Sequence, residues 1–207
     1  TSESSTYMRG PEGTIVTLEI GRAGESQPFD VVVTRGVIDV PSVRSRELDD
    51  GYWLIRVSRF QRDSGREVTT AIESALEQGD VKGVVLDVRN NPGGVMNASV
   101  EMASNFLDGG LVVYTKGRHP DSMSTYNAEP EDLLPGVPVV VLVNGGSASA
   151  SEIIAGALQD RGRAVIMGTQ SFGKGSVQTV LPVSETKALK LTTSLYYTPN
   201  GLSLIHI

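Results

Sequence analysis

The sequence contains no cysteine and only two histidines, and these shortages exclude several kinds of site. Without cysteine there are no disulfides and no thiolate metal ligands. His119 and His206 are far apart in the chain, so they form no metal-ligand cluster, and a Ser-His-Asp triad would depend on one histidine in a polar loop. Any general base must therefore be sought among other side chains.

Long apolar runs and basic clusters are also missing. No run reaches the length needed to span a membrane, and the first residues, Thr-Ser-Glu-Ser-Ser, do not form a signal peptide. The net charge is -6 with only 20% charged residues, which argues against a nucleic-acid-binding surface. With 207 residues, 39% of them hydrophobic, the chain can bury one substantial core.

Serine residues cluster between positions 147 and 151, at the junction of a predicted strand and a predicted helix. The β-branched run Val137–Val143 has the length of a buried strand, and the apolar residues from Ile153 to Leu158 have helical spacing. The serines therefore occupy a strand-to-helix turn, where free N–H groups and the positive end of the helix dipole can stabilise an oxyanion. That arrangement suits acyl transfer at a carbonyl, although spacing alone does not choose which serine reacts.

Lys174 is the residue best suited to activate a serine. A serine hydroxyl needs a neighbouring base to take its proton, and a desolvated lysine amine can act as that base. Lys174 lies between Gly173 and Gly175, which let the backbone turn sharply, and the amide oxygen of Gln178 can hold the amine. Because such a base must be desolvated, we expect Lys174 to be buried against Phe172.

Each of these residues also has an ordinary structural interpretation. Ser149 and Glu152 fit the capping box S-x-x-E, and lysines are usually exposed in loops. The run Gly168–Lys174 matches the phosphate-binding pattern G-x-x-x-x-G-K, but Gly175 stands where that pattern needs Ser or Thr. The residues that follow favour a strand, whereas phosphate binding requires a helix.

The serine and lysine motifs together resemble those of a known enzyme family. The segment Asn144–Ile153 reads Asn-Gly-Gly-Ser-Ala-Ser-Ala-Ser-Glu-Ile, and Phe172–Gln178 reads Phe-Gly-Lys-Gly-Ser-Val-Gln. Both are similar to motifs of the carboxy-terminal processing peptidases, also called tail-specific proteases. The resemblance implies that Ser149 is the nucleophile, that Lys174 is the base and that Gln178 orients the lysine. It implies no cofactor and no metal.

A second glycine-rich loop, Asn90–Gly94, follows the predicted strand Val84–Val88. Alternating strands and helices predict an α/β fold with parallel strands, which in the family takes the form of a crotonase/ClpP-like layered sheet-and-helix core. Because ligands bind beyond the carboxyl ends of parallel strands, this loop and the serine turn should share one edge of the sheet. The resemblance implies that an amide of Gly93 or Gly94 and the amide of Ala150 form the oxyanion hole.

Three segments are predicted along the chain. Residues 1–35 contain two strands and a stretch, Arg9–Thr14, that resembles the closing part of the family's PDZ domain. The strand that would form the peptide groove is missing, so we expect a remnant that binds no peptide by itself. Residues 36–201 resemble the peptidase core, incomplete at its C-terminus. Residues 202–207 depart from the family, and the codons CTG TCT CTT ATA CAC ATC, which would encode them, match a sequencing adaptor, so we expect an assembly artefact.

Two further segments carry weaker patterns. Val37–Val43, interrupted by Pro41, is predicted as a linking strand. Lys116–Gly136 is polar and contains proline, and it is predicted as a loop bordering the substrate channel.

The resulting hypothesis is a serine endopeptidase that cleaves proteins near their C-termini through a Ser-Lys dyad and an acyl-enzyme. Its partners would be protein or peptide substrates recognised at the C-terminus, with neither nucleic acid nor metal. The resemblance also implies a periplasmic or otherwise exported protein. A catalytically inactive or binding-only fragment of the same fold is the alternative, and nucleotide binding at the segment resembling a P-loop is a third reading.

Overall fold

The computed structural model describes residues 2–37, 40–130 and 132–204. The chain divides into two compact units, residues 1–40 and 41–207. No helix in the part described is long and apolar enough to cross a membrane.

The first unit contains one short helix and one hairpin. Helix α1 spans Ser2–Met8, and strands β1 (Ile15–Ile20) and β2 (Phe29–Thr34) pair antiparallel. Arg35 closes this unit, since its guanidinium donates to the carbonyl oxygens of Met8 at 2.9 Å and Tyr7 at 3.1 Å. Both strands were predicted and the helix was not. The assignment of this unit to a PDZ domain stays a prediction.

The second unit consists of two sheets and three α-helices. Its elements are, in chain order, β3 (Val43–Asp49), β4 (Tyr52–Val57), α2 (Ser64–Gln78), β5 (Gly83–Asp87), α3 (Met96–Ser104), β6 (Asp108–Gly117), β7 (Ser124–Pro130), β8 (Val139–Val143), α4 (Ala150–Asp160), β9 (Val165–Gly168), β10 (Ser176–Ser184) and β11 (Lys187–Tyr197). One sheet has the strand order β3-β4-β5-β8-β9, and the other has the order β10-β11-β6-β7. The predicted α/β fold is therefore confirmed.

The five-stranded sheet carries the parallel strands that the sequence predicted. β4, β5, β8 and β9 run parallel, and β3 pairs antiparallel with β4 at one edge. Ile55, Leu86 and Val141 stand beside one another on neighbouring strands, and each is at most 1% exposed. Helix α4 contacts both β9 of this sheet and β6 of the other, so the core lies between the two sheets.

Two strands, β3 and β7, were not predicted from the sequence. The predicted linking strand Val37–Val43 is wrong at residues 37 and 40–42, since β3 begins only at Val43 and continues through charged residues to Asp49; residues 38–39 lie outside the described part. The predicted loop Lys116–Gly136 contains β7, whose strand pattern is hidden because Ala128 is its one buried residue. Both strands are largely exposed, so neither shows an apolar alternation.

The last described residues pack onto the second unit. Leu204 is fully buried, and Ser203 forms an isolated bridge with Tyr197 while its hydroxyl is buried without a hydrogen-bond partner in the described part. Residues 205–207, and with them His206, lie outside the described residues. The adaptor origin of residues 202–207 stays a prediction.

Candidate active site

Ser149 lies immediately before helix α4, at the strand-to-helix turn that the sequence predicted. Its backbone has φ 55° and ψ -112°, a conformation that residues other than glycine rarely adopt. Such a conformation costs on the order of 1–3 kcal/mol and persists only where neighbouring contacts enforce it. It lifts the Ser149 side chain out of the path of the backbone, as required of an exposed nucleophile.

The neighbouring serines hold this turn against the segment that follows β5. The hydroxyl of Ser147 donates to the backbone carbonyl oxygen of Val88 at 2.8 Å, and the hydroxyl of Ser151 donates to the backbone carbonyl oxygen of Asn91 at 2.9 Å. Both serines are completely buried, whereas Ser149 is partly exposed. The structure therefore separates three serines that spacing alone leaves equivalent, because two of them are engaged inside the protein.

The glycine loop after β5 contacts the Ser149 turn directly. β5 and β8 are parallel neighbours, so their carboxyl ends meet at one edge, as predicted. Gly93 has φ +93°, and a Cβ atom placed on it would lie 2.9 Å from the Cβ of Ser149 and 3.0 Å from the nitrogen of Ala150. This approach is possible only for glycine, which has no Cβ and tolerates a positive φ.

The two glycines of the loop play different parts. The N–H of Gly93 donates to the side-chain oxygen of Asn91 at 2.9 Å. Gly94 instead lies beside Phe60, which accepts from Val95 N–H at 2.8 Å and donates to the carbonyl oxygen of Gly93 at 3.0 Å. Within the described residues the N–H of Gly94 has no acceptor, which leaves it available for a ligand.

Glu152 contacts more of the site than its place in a capping box or a supporting charge predicts. Its carboxylate is 1% exposed and accepts four hydrogen bonds. One oxygen accepts from the N–H groups of Ser149 at 2.8 Å and Lys174 at 2.9 Å. The other accepts from Gly173 N–H at 2.6 Å and the Ser171 hydroxyl at 2.7 Å. A single buried carboxylate thus ties the serine turn to the lysine loop.

In the sequence, Glu152 stands out as the last residue of the capping box. Ser149 and Glu152 do take the capping-box arrangement, with the Glu152 side chain accepting from Ser149 N–H. The N–H of Glu152 also donates to the carbonyl oxygen of Ser149 at 2.8 Å, in a tight turn of three residues at the start of the helix. That pattern is common at helix ends, so by itself it does not point to the lysine loop.

Lys174 itself is exposed, so the burial predicted from the sequence is wrong. Phe172, its expected cover, is 68% exposed. The Lys174 amine makes no hydrogen bond or ion pair with another described residue, and no hydrogen bond joins it to the Ser149 hydroxyl. Gln178 is also exposed and lies in β10, opposite Thr192. The backbone of the lysine loop is anchored to the serine turn, while the side chains of Phe172 and Lys174 are exposed.

A buried ion cluster stands at the same edge of the sheet. Asp87, at the end of β5, is 2% exposed and bonds Arg56 at 2.6 Å and Arg89 at 2.9 Å. Burial alone would raise the pKa of Asp87, but the hydrogen bonds from Arg89 and the charges of both arginines outweigh it and hold that pKa below its ordinary value. Asp87 therefore stays ionised and fixes the strand end from which the glycine loop departs.

An α/β sheet, a strained serine at a helix N-terminus and a glycine loop packed against that serine are typical of serine hydrolases. The chain belongs to peptidase family S41, whose sequence model matches residues 51–207. It is 46% identical over 98% of its length to the carboxy-terminal-processing protease of Bartonella bacilliformis, and 41% identical over 95% to the carboxyl-terminal-processing protease of Synechocystis sp.. The resemblance to carboxy-terminal processing peptidases is confirmed.

A solved structure agrees with these relatives. The photosystem II D1 C-terminal processing protease matches 94% of this chain with a TM-score of 0.72 and 31% identity, and the match covers 54% of that protein. The chain spans about half the length of the curated relatives, 47% and 46% for the two named above.

Proposed function

We propose that this chain carries the catalytic centre of a serine endopeptidase that cleaves polypeptides near their carboxyl termini. Membership of the peptidase family supports the reaction class, and the names of the relatives support the preference for carboxyl termini. The observation that carries the assignment is the pair of bonds from Ser149 N–H and Lys174 N–H to one oxygen of Glu152. The proposed nucleophile and base therefore lie on two segments whose backbone N–H groups donate to the same carboxylate oxygen.

The proposed reaction proceeds through an acyl-enzyme. The Ser149 oxygen attacks the scissile carbonyl carbon, and its proton passes to the Lys174 amine. The N–H groups of Gly94 and Ala150 stabilise the oxyanion, with Gly93 setting the close approach of the two loops. When the peptide C–N bond breaks, the lysine returns the proton to the leaving amine. Water then attacks the ester, gives one proton to Lys174, and releases the acid as Ser149 recovers its proton.

The exposed lysine requires a movement before chemistry. A base must enter the reaction neutral, and a fully solvated ammonium resists losing its proton. We propose that the flexible Lys174 side chain swings onto Ser149 when the substrate covers the site and excludes water, and that Gln178 then holds the amine through its amide oxygen. The fixed backbone of the loop limits this step to side-chain rotation, because Glu152 already anchors Gly173 and Lys174.

Substrate recognition is proposed from the relatives. Protein substrates would be bound near their carboxyl termini, and the longer protein would act after export from the cytoplasm. Residues 1–35 would be the closing part of a PDZ domain without a complete groove. In that case a carboxy-terminal peptide should show no saturable binding to a fragment of residues 1–40 at micromolar concentration, and saturable binding would show that the groove is present.

The decisive experiment compares the chain with two variants. Ser149→Ala removes the nucleophile, and Lys174→Arg keeps a positive charge that cannot be given up. Both should abolish hydrolysis of an unfolded protein substrate while the circular dichroism spectrum is unchanged. Turnover by Lys174→Arg at the wild-type rate would rule out the dyad. Absence of hydrolysis and of serine-probe labelling in the wild-type chain would favour the binding-only alternative.

A further inference from the structure

Asn91 is completely buried and joins three segments at the edge of the sheet. Its side-chain amide donates to the carbonyl oxygen of Val57, at the end of β4, at 3.0 Å, and its side-chain oxygen accepts from Gly93 N–H at 2.9 Å. Its backbone carbonyl oxygen accepts from Ala148 N–H at 3.0 Å and from the Ser151 hydroxyl at 2.9 Å. The side-chain oxygen, one amide hydrogen and both carbonyl lone pairs are therefore engaged inside the protein.

The bond between Asn91 and Gly93 decides which glycine amide remains free to bind a ligand. Because Asn91 accepts from Gly93 N–H, Gly94 is the member of the glycine pair whose N–H is left without an acceptor in the described part of the chain. The same bond closes the turn that brings Gly93 against the Cβ of Ser149. A small rotation of this turn would change the distance from the Gly94 amide to the atom that Ser149 attacks.

An oxyanion donor is sensitive to such a rotation. It stabilises the transition state only within hydrogen-bond distance of the developing charge, and losing one donor costs about 100- to 1000-fold in rate. Neither Asn91 nor Ser151 can touch a substrate, since both are completely buried. Any effect of theirs on the reaction must therefore be indirect, through the relative position of the glycine loop and the Ser149 turn.

We propose that Asn91 is a positioning residue that sets the Gly94 amide against Ser149, and that Ser151 acts through Asn91 by fixing its carbonyl group. This assignment rests on the proposed function. Ser151 links the first turn of α4 to a loop 60 residues earlier in the chain, so the helix that presents the nucleophile also sets the distance to the oxyanion donor.

The test measures covalent labelling of the whole chain by a fluorophosphonate probe. The serine oxygen bonds to phosphorus as fluoride leaves, and the phosphoryl oxygen occupies the position of the oxyanion. The variants are Ser151→Ala, Asn91→Ala and the control Ser99→Ala. Ser99 is matched to Ser151 because it is completely buried and donates one hydroxyl hydrogen bond to a backbone carbonyl, that of Met96 at 2.6 Å, inside α3.

The positioning role predicts a split between rate and binding. Ser151→Ala should lower the maximal labelling rate about tenfold and Asn91→Ala about a hundredfold, with the half-saturating probe concentration changed less than about twofold. Ser99→Ala should lose similar thermal stability and label within about twofold of the wild type. If Asn91→Ala does not fold, Ser151→Ala decides the question by itself.

Two different results would overturn the inference. Ser151→Ala labelling at the maximal rate of Ser99→Ala would remove the positioning role and leave the proposed function standing. A wild-type chain that does not label, or labelling that survives Ser149→Ala, would overturn the proposed function and the positioning role with it.

Discussion

The replacement Glu152→Gln tests whether one buried carboxylate holds the two halves of the site together. Glu152 accepts hydrogen bonds from Ser149, Lys174, Gly173 and the Ser171 hydroxyl. Glutamine has nearly the same shape but replaces one acceptor oxygen with an amide group that donates. At least one of the four donors must then face another donor, and the remaining bonds lose the assistance of the negative charge.

The size of the effect follows from these contacts. The least costly arrangement turns the glutamine nitrogen toward Ser171, whose hydroxyl can reverse and accept, and it leaves Gly173 N–H without an acceptor. An orphaned buried donor costs about 1–3 kcal/mol, and each bond that loses its charged acceptor weakens by about 1 kcal/mol. With the Ser149 and Lys174 bonds both weakened, the free energy of unfolding should fall by about 3–5 kcal/mol. At about 2–4 °C per kcal/mol for a chain of this size, the melting temperature should fall by about 6–20 °C.

Activity should fall further than stability explains. Misplacing a catalytic group by about 1 Å can cost a hundredfold in rate, so hydrolysis well below the melting temperature should fall on the order of 100-fold. The matched control is Glu67→Gln. One Glu67 oxygen accepts from Ser42 N–H, the Ser42 hydroxyl and Val43 N–H, each at 2.9 Å, so the control also loses charge-assisted bonds, in this case between α2 and β3.

The assay combines melting by circular dichroism, hydrolysis of an unfolded protein and hydrogen exchange. Exchange at the amides of Gly173 and Lys174 should speed up in Glu152→Gln and stay at its wild-type rate in Glu67→Gln. Equal losses of activity in the two variants, after correction for the folded fraction, would refute the role of Glu152 as the link between the serine turn and the lysine loop.

Two further predictions concern Gly93 and Asp87, and a third concerns the end of the sequence. Gly93→Ala places a Cβ 2.6 Å from a backbone oxygen at φ +93°, so it should destabilise the chain by about 2–4 kcal/mol in denaturant unfolding, whereas Gly13→Ala, at φ +79° with open space around it, should cost about 1 kcal/mol. Folding lowers the pKa of Asp87, so this carboxylate stabilises the folded chain above its ordinary pKa of 3.8, and that stability is lost as the pH falls through the lower folded value. Arg89→Met removes one of the groups that lower this pKa and should therefore raise the pH midpoint of acid unfolding. An unchanged midpoint would contradict this reasoning. Resequencing the locus past the codon for Gly201 with a library made without transposase should recover codons other than the six adaptor-like ones, whereas their recovery would make the ending native.

Apolar patterns predicted the elements that position the site. The predicted strand Val84–Val88 overlaps β5, the run Val137–Val143 contains β8, and the apolar residues from Ile153 to Leu158 lie in α4. Strands β3 and β7 were missed because their side chains are polar and exposed on most positions. A strand held mainly by backbone pairing to its neighbours leaves little trace in residue types.

The location of the site was also predictable, but the solvent exposure of its side chains was not. A glycine loop and a serine turn that follow parallel strands must meet at one edge, since strand direction alone decides this. Which serine reaches solvent depends on where Val88 and Asn91 present their carbonyl oxygens, 59 and 60 residues before the serines that bond them. Lys174 was predicted to be buried, and it is exposed.

Glu152 shows most clearly which contacts the local sequence predicts and which depend on the folded chain. Its local sequence predicted a helix-capping side chain, and it does cap α4. Its bonds to Ser171, Gly173 and Lys174 come from a loop that follows β9, and they exist because β9 pairs in parallel with β8 and returns the chain to the same edge. Periodicity along one element reports which face is buried, whereas contacts between groups far apart in sequence depend on the pairing and register of strands, which only the folded chain establishes.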